Sequence, residues 1–129
     1  MLYSYPDVSR FVAELLGVDA WEAESEYYPF SSADASKGFL EVVYPVADAS
    51  GHLLRGAAGN GPIFIFLYRR GTWTYLGKMH GAKATAIATA STTEFNVYAH
   101  ASATAGVERH YQLRGEEYVC VWEGDLTEE

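Results

Sequence analysis

The chain reads as an α+β protein in which one N-terminal helix packs on an antiparallel β-meander of about six to seven strands. Three observations lead there: an aromatic-rich composition, a single helically periodic segment near the start, and a succession of short apolar or alternating runs separated by glycine-containing turns. Ten Tyr, six Phe and three Trp favour strands, where rings pack on the pleated surface and bury large areas. A length of 129 residues fits one domain spanning 1–129 and leaves little material for a second core. With 49% apolar and 20% charged residues, the chain can bury a core and does not have a disordered composition.

Residues 4–17 carry helix punctuation. Pro6 suits the first turn, Asp7 suits the positive N-terminal end, and Gly17 suits the closing left-handed position. Val8, Phe11, Val12, Leu15 and Leu16 recur at three- and four-residue intervals, which collects them on one stripe able to pack against a sheet. Residues 21–28 then alternate with period two until Pro29, which reads as a short strand or extended arm followed by a loop. A strand over 39–45 ends at Pro45, because a central strand needs the backbone N–H that proline lacks. Residues 47–61 form a long, glycine-rich connection.

Residues 63–69 are apolar on both faces, as a central strand requires. Arg70-Gly71 makes a tight hairpin to the strand at 72–76, since glycine accepts the positive φ of such turns. Further strands are expected at 82–88, 94–99, 107–113 and 117–123, with a second tight turn at Arg114-Gly115. No connection is long enough for a crossover helix, so the sheet is antiparallel. Strand order, and whether the sheet becomes strongly curved or barrel-like, stay open.

Charge narrows the partners. The net charge is −8; residues 1–60 carry −6, residues 61–107 carry +3 and residues 108–129 carry −5. Such a field repels nucleic acid and anionic membranes and speeds encounter with a basic protein. No stretch reaches the length needed to cross a bilayer and the N-terminus lacks a basic region before an apolar run, so a cytoplasmic location is expected. The lone cysteine, Cys120, lies in the apolar run Tyr118-Val119-Cys120-Val121-Trp122 and is expected as a small buried hydrophobe.

Catalytic and cofactor chemistry finds little footing. The glycine-rich 56–61 stretch is followed by Pro62 and a strand, not by the helix N-terminus that a phosphate loop uses. His52, His80, His100 and His110 match no compact metal-ligand spacing. Cys120 is bracketed by valines and lies near Glu116, Glu117 and Glu123, which disfavours an activated thiolate. No metal and no cofactor are expected, and enzymatic activity is the less favoured class.

The more informative feature is the carboxylate row Glu22, Glu24 and Glu26, followed by Tyr27 and Tyr28. In an extended segment the three carboxylates share one face at intervals of roughly 6.6–6.8 Å, and the tyrosines add the anchors that interfaces favour. These five are the candidate partner-binding residues. The competing reading is an edge strand whose charges keep it from pairing with other chains.

In size, acidity and aromatic-rich meander organisation the chain resembles the small acidic bacterial immunity proteins that neutralise contact-dependent or secreted toxins. The resemblance implies an inhibitor that binds a cognate, basic toxin or enzyme domain and occludes its active site. The alternative is a small-molecule-binding or enzymatic domain using the loops around His52, His80 and His100.

Overall fold

The computed structural model describes residues 11–12, 21–48, 59–101 and 105–127. Eight strands make two four-stranded antiparallel sheets. Sheet A contains β1 (Trp21–Pro29), β2 (Phe39–Asp48), β3 (Gly61–Arg69) and β4 (Thr72–Gly81). Sheet B contains β5 (Lys83–Ile87), β6 (Glu94–His100), β7 (Ala105–Arg114) and β8 (Glu117–Thr127). Spatial order follows chain order in both sheets, as is common for strands consecutive in sequence. One 3₁₀ turn, Ala35–Lys37, with Asp34 accepting from the Ser36 amide, joins β1 to β2.

The expected α+β class is therefore corrected. The described residues are almost entirely β, only Phe11 and Val12 being α-helical, and the two sheets stay separate without closing into a barrel. The helix expected over 4–17 lies outside the described residues except for Phe11 and Val12. The strand count rises to eight because the alternating segment read as an extended arm pairs with β2 along its length, from Trp21↔Asp48 to Pro29↔Phe39. Two antiparallel sheets can bury their apolar faces against each other, so the main core needs no helix to cover it.

That core lies between the sheets. Leu40, Val42 and Tyr44 of β2, Ile63, Ile65 and Leu67 of β3, and Leu76 and Met79 of β4 meet Ala84, Phe95, Val97, Tyr111 and Tyr118 of sheet B. β3 is the interior strand expected of its sequence, flanked by β2 and β4. Its alternate residues Phe64, Phe66 and Tyr68 point the other way and join Val43 and Val12 in a second cluster on the outer face of sheet A. Phe11 contributes there, its ring centroid 5.0 Å from Tyr75, 5.5 Å from Trp73 and 6.2 Å from Phe66. Within this aromatic face Glu41 is buried, accepting hydrogen bonds from the Tyr68 hydroxyl at 2.8 Å and the Tyr27 hydroxyl at 3.2 Å. Those donors supply the polar partners that a buried carboxylate requires.

The β3–β4 hairpin has Arg70 at φ 53° and Gly71 at φ 79°, both left-handed as a two-residue turn that preserves the strand twist demands. β2 runs through Pro45 to Asp48 instead of ending at the proline. Its pairing with β3 stops at Val43, whereas its pairing with β1 continues with a register shift opposite Pro45. Proline is tolerated there because no β3 carbonyl in that register calls for its missing N–H.

One end of the sandwich is closed by polar ties between the β1–β2 and β5–β6 loops. Ser31 Oγ donates to Ala90 O at 2.6 Å, Ser32 Oγ to Thr89 O at 2.8 Å, and Thr93 Oγ1 to Pro29 O at 2.6 Å. At the other end the Asn60 side chain bonds the His100 backbone twice. Among the described residues no helix is long and apolar enough to cross a membrane.

Candidate functional site

The structure divides the five candidate partner-binding residues instead of gathering them. Glu24 and Glu26 sit opposite Tyr44 and Val42, on the face of β1 that looks into the gap between the sheets. Glu24 is exposed. Glu26 is bound by the Lys83 ammonium, by the Tyr44 hydroxyl at 2.9 Å and by the Tyr28 hydroxyl at 3.0 Å. Burial works against its charge, but the hydrogen bonds from Lys83, Tyr44 and Tyr28 outweigh that and hold the carboxyl below the usual range. Burial and the same carboxylate push the Tyr28 phenol up to about 12. The Tyr28 ring packs on Phe95, so this tyrosine belongs to the core edge. Tyr27 occupies the opposite face, 58% exposed, with its hydroxyl on Glu41 and its ring 6.0 Å from Phe39. Glu22, on β1, pairs with Ala47 of β2; its side chain lies outside the described residues.

Inward-pointing charges on an edge strand block pairing with a foreign strand. The Glu26–Lys83 tie also fastens the edge of sheet A to the start of sheet B, beside the Ala84 amide that donates to the Tyr44 hydroxyl at 3.1 Å. A cleft of about 390 Å³ opens here, lined by Glu24, Glu26, Tyr44, Val46, Ala82 and Lys83. Its floor is occupied by groups that satisfy one another.

This tie has a pH signature. Glu26 has a lowered pKa in the fold, so its contribution is present above the unfolded value of about 4.3 and is lost as pH falls through the folded value. Lys83→Met is expected to cost about 0.2–1 kcal/mol at pH 7 and low salt, the range of exposed pairs, because the lysine side chain is 56% exposed. Melting curves from pH 7 to pH 3 check this: the deficit of the variant shrinks as acid protonates Glu26 in both proteins.

The histidines divide as well. His52 lies outside the described residues. His80 is the penultimate residue of β4 and His100 closes β6, both exposed, and no group of three or more His, Cys, Asp or Glu able to hold a metal occurs among the described residues. His110 is bound on both ring nitrogens, Nδ1 to Asn96 Oδ1 at 2.7 Å and Nε2 to Glu94 Oε1 at 2.7 Å. Cys120 is exposed, which corrects the expectation of a buried thiol. The β7–β8 register steps from Tyr111↔Cys120 to His110↔Trp122, so Val121 is an extra residue on β8. Such a bulge breaks the alternation that the apolar run suggested.

That bulge lies at the margin of the most distinctive surface, the outer face of sheet B. Cross-strand register aligns Asn96, His110 and Trp122 in one row and Tyr98, Glu108 and Gly124 in the next. Trp122 is 53% exposed and Val121 39%. Both rings of this face lie down over glycines. A Cβ on Gly124 would come 2.4 Å from Trp122 Cη2, and one on Gly106 would come 2.5 Å from Tyr98 Cε1. Glycine inside a strand is what allows such close approach. Tyr98 also meets His100 edge-on at 4.8 Å.

Sequence reasoning passed over Tyr98, Glu108 and Trp122. Their signal was present as Gly106 and Gly124, two glycines within otherwise regular strands. Compared with protein-family models, with curated proteins and with solved structures, the chain matches none of them.

Proposed function

We propose that this protein is an immunity-type inhibitor that binds a cognate basic toxin or enzyme domain. The observation that carries the reading is the outer face of sheet B, where exposed Trp122 sits in the acidic final third of a chain of net charge −8. An aromatic anchor surrounded by a charged rim is the composition of a protein interface, and the negative field steers a basic partner toward it. The basic groups Lys37, Arg69 and Arg70 are gathered elsewhere, around a shallow depression by the β3–β4 hairpin. Sheet B carries Lys83, Arg109 and Arg114 as well as its carboxylates, and Arg109 and Lys83 are held in ion pairs with Glu123 and Glu26.

Glu26 and Tyr28 serve the internal tie, which leaves Glu24 and Tyr27 as exposed contributors on opposite faces of β1. The function rests on the other sheet. Affinity capture from the native organism's lysate at low salt, followed by titration with the purified captured protein, tests it. The expected result is a stoichiometric complex with a basic protein, association that slows as salt rises, and loss of the partner's activity in the complex. Recovery of no basic partner, or binding indifferent to salt, would overturn the reading.

A further inference from the structure

We propose that Glu108, set beside Tyr98 and Trp122 on the outer face of sheet B, receives a cationic side chain, an arginine or lysine, of the protein partner. This rests on the partner-binding reading and gives that partner its point of entry.

Glu108 stands directly opposite Tyr98 on β6 and opposite Gly124 on β8. Paired residues on neighbouring strands hold their Cβ positions about 4.5–5.5 Å apart. The benzo ring of Trp122 fills the place above Gly124, with Cη2 and Cζ2 at 2.4 and 2.6 Å from where a Cβ would be. The Trp122 ring thus covers the position across from Glu108 on β8, and the Tyr98 ring lies over Gly106, two residues before Glu108 on β7.

The carboxylate itself is half-buried, and among the described residues it has no hydrogen-bond or ion-pair partner. The neighbouring basic side chains have partners of their own, Lys83 opposite Tyr98 being bound to Glu26. His110 is bound to Glu94 and Asn96, Arg109 to Glu123 at 2.9 Å and to the His80 carbonyl at 3.0 Å, and Arg114 to Gln112 at 2.8 Å. A half-buried carboxylate near aromatic faces attracts a cation twice, through the ion pair and through the ring quadrupoles. Guanidinium fits best, because it bonds a carboxylate with two N–H groups while its plane stacks on a ring.

The test is a nitrogen-15 NMR titration of the full chain with acetyl-Gly-Arg-Gly-amide, with the uncharged citrulline peptide as control. The expected result is shift changes confined to the Tyr98, Glu108 and Gly124 amides and the Trp122 indole. Binding should be at least tenfold weaker for the citrulline peptide and for Glu108→Gln, and unchanged in Glu116→Gln, an exposed residue of the β7–β8 turn. Gly124→Ala, whose methyl must push the indole aside, should weaken binding while Trp122 itself is retained. Equal binding by Glu108→Gln, shifts centred on Glu24, or no shifts at all would overturn the site. Capture of a basic partner whose affinity ignores Glu108→Gln would overturn this inference and leave the inhibitor reading standing. Peptide binding at Glu108 with no partner captured would strike the inhibitor reading instead.

Discussion

Phe95→Ala is expected to lower unfolding free energy by about 3–5 kcal/mol, the cost of emptying a large aromatic site in a core that relaxes only partly. Phe95 is fully buried at the centre of the inter-sheet core. Its ring stands 5.6 Å from both Tyr28 and Tyr118, edge to face in each case, which adds directional attraction to the apolar area removed from water. Tyr28 belongs to β1 and Tyr118 to β8, so one side chain links the far edges of both sheets. A domain of this size has about 5–15 kcal/mol in total, so the variant is expected to lose a large share of its stability. Chemical denaturation against wild type checks this. A loss under about 1 kcal/mol would mean that the sheets do not share the core described.

Trp122→Ala is expected to leave the fold nearly unchanged and to cost about 2–4 kcal/mol of binding to the basic partner, roughly thirtyfold or more in Kd. The indole is 53% exposed and rests on glycine rather than on core side chains, so its removal opens no internal cavity. Paired calorimetry and denaturation on the same variant separate the two effects. Lost stability with retained affinity would make Trp122 a cover for the sheet and not an anchor.

Much of the sheet content was legible because hydrophobic patterning acts locally. Ile63, Ile65 and Leu67 alternate with Phe64, Phe66 and Tyr68, and each set found its own cluster. Arg70-Gly71 announced its hairpin through the positive φ it needs. The fold class was missed because periodicity reports which residues share a face, not what covers that face. The main apolar face of sheet A is covered by sheet B, a long-range outcome that no single segment encodes.

The interface residues were missed for a related reason. Glu22, Glu24 and Glu26 are visible as a row, yet the side of β1 they occupy depends on its pairing with β2 and on Lys83 reaching across from the other sheet. Glu108, Tyr98 and Trp122 come from three strands and become neighbours only through the registers of β6, β7 and β8. The bulge at Val121 further displaced the alternation that should have marked Trp122 as outward.

The most direct measurement is a cross-saturation NMR footprint of the purified partner on the labelled protein at low salt. A footprint on Tyr98, Glu108, Trp122 and Gly124 is the predicted result. A footprint on β1 or on the Glu24–Lys83 cleft, with the outer face of sheet B untouched, would contradict the account.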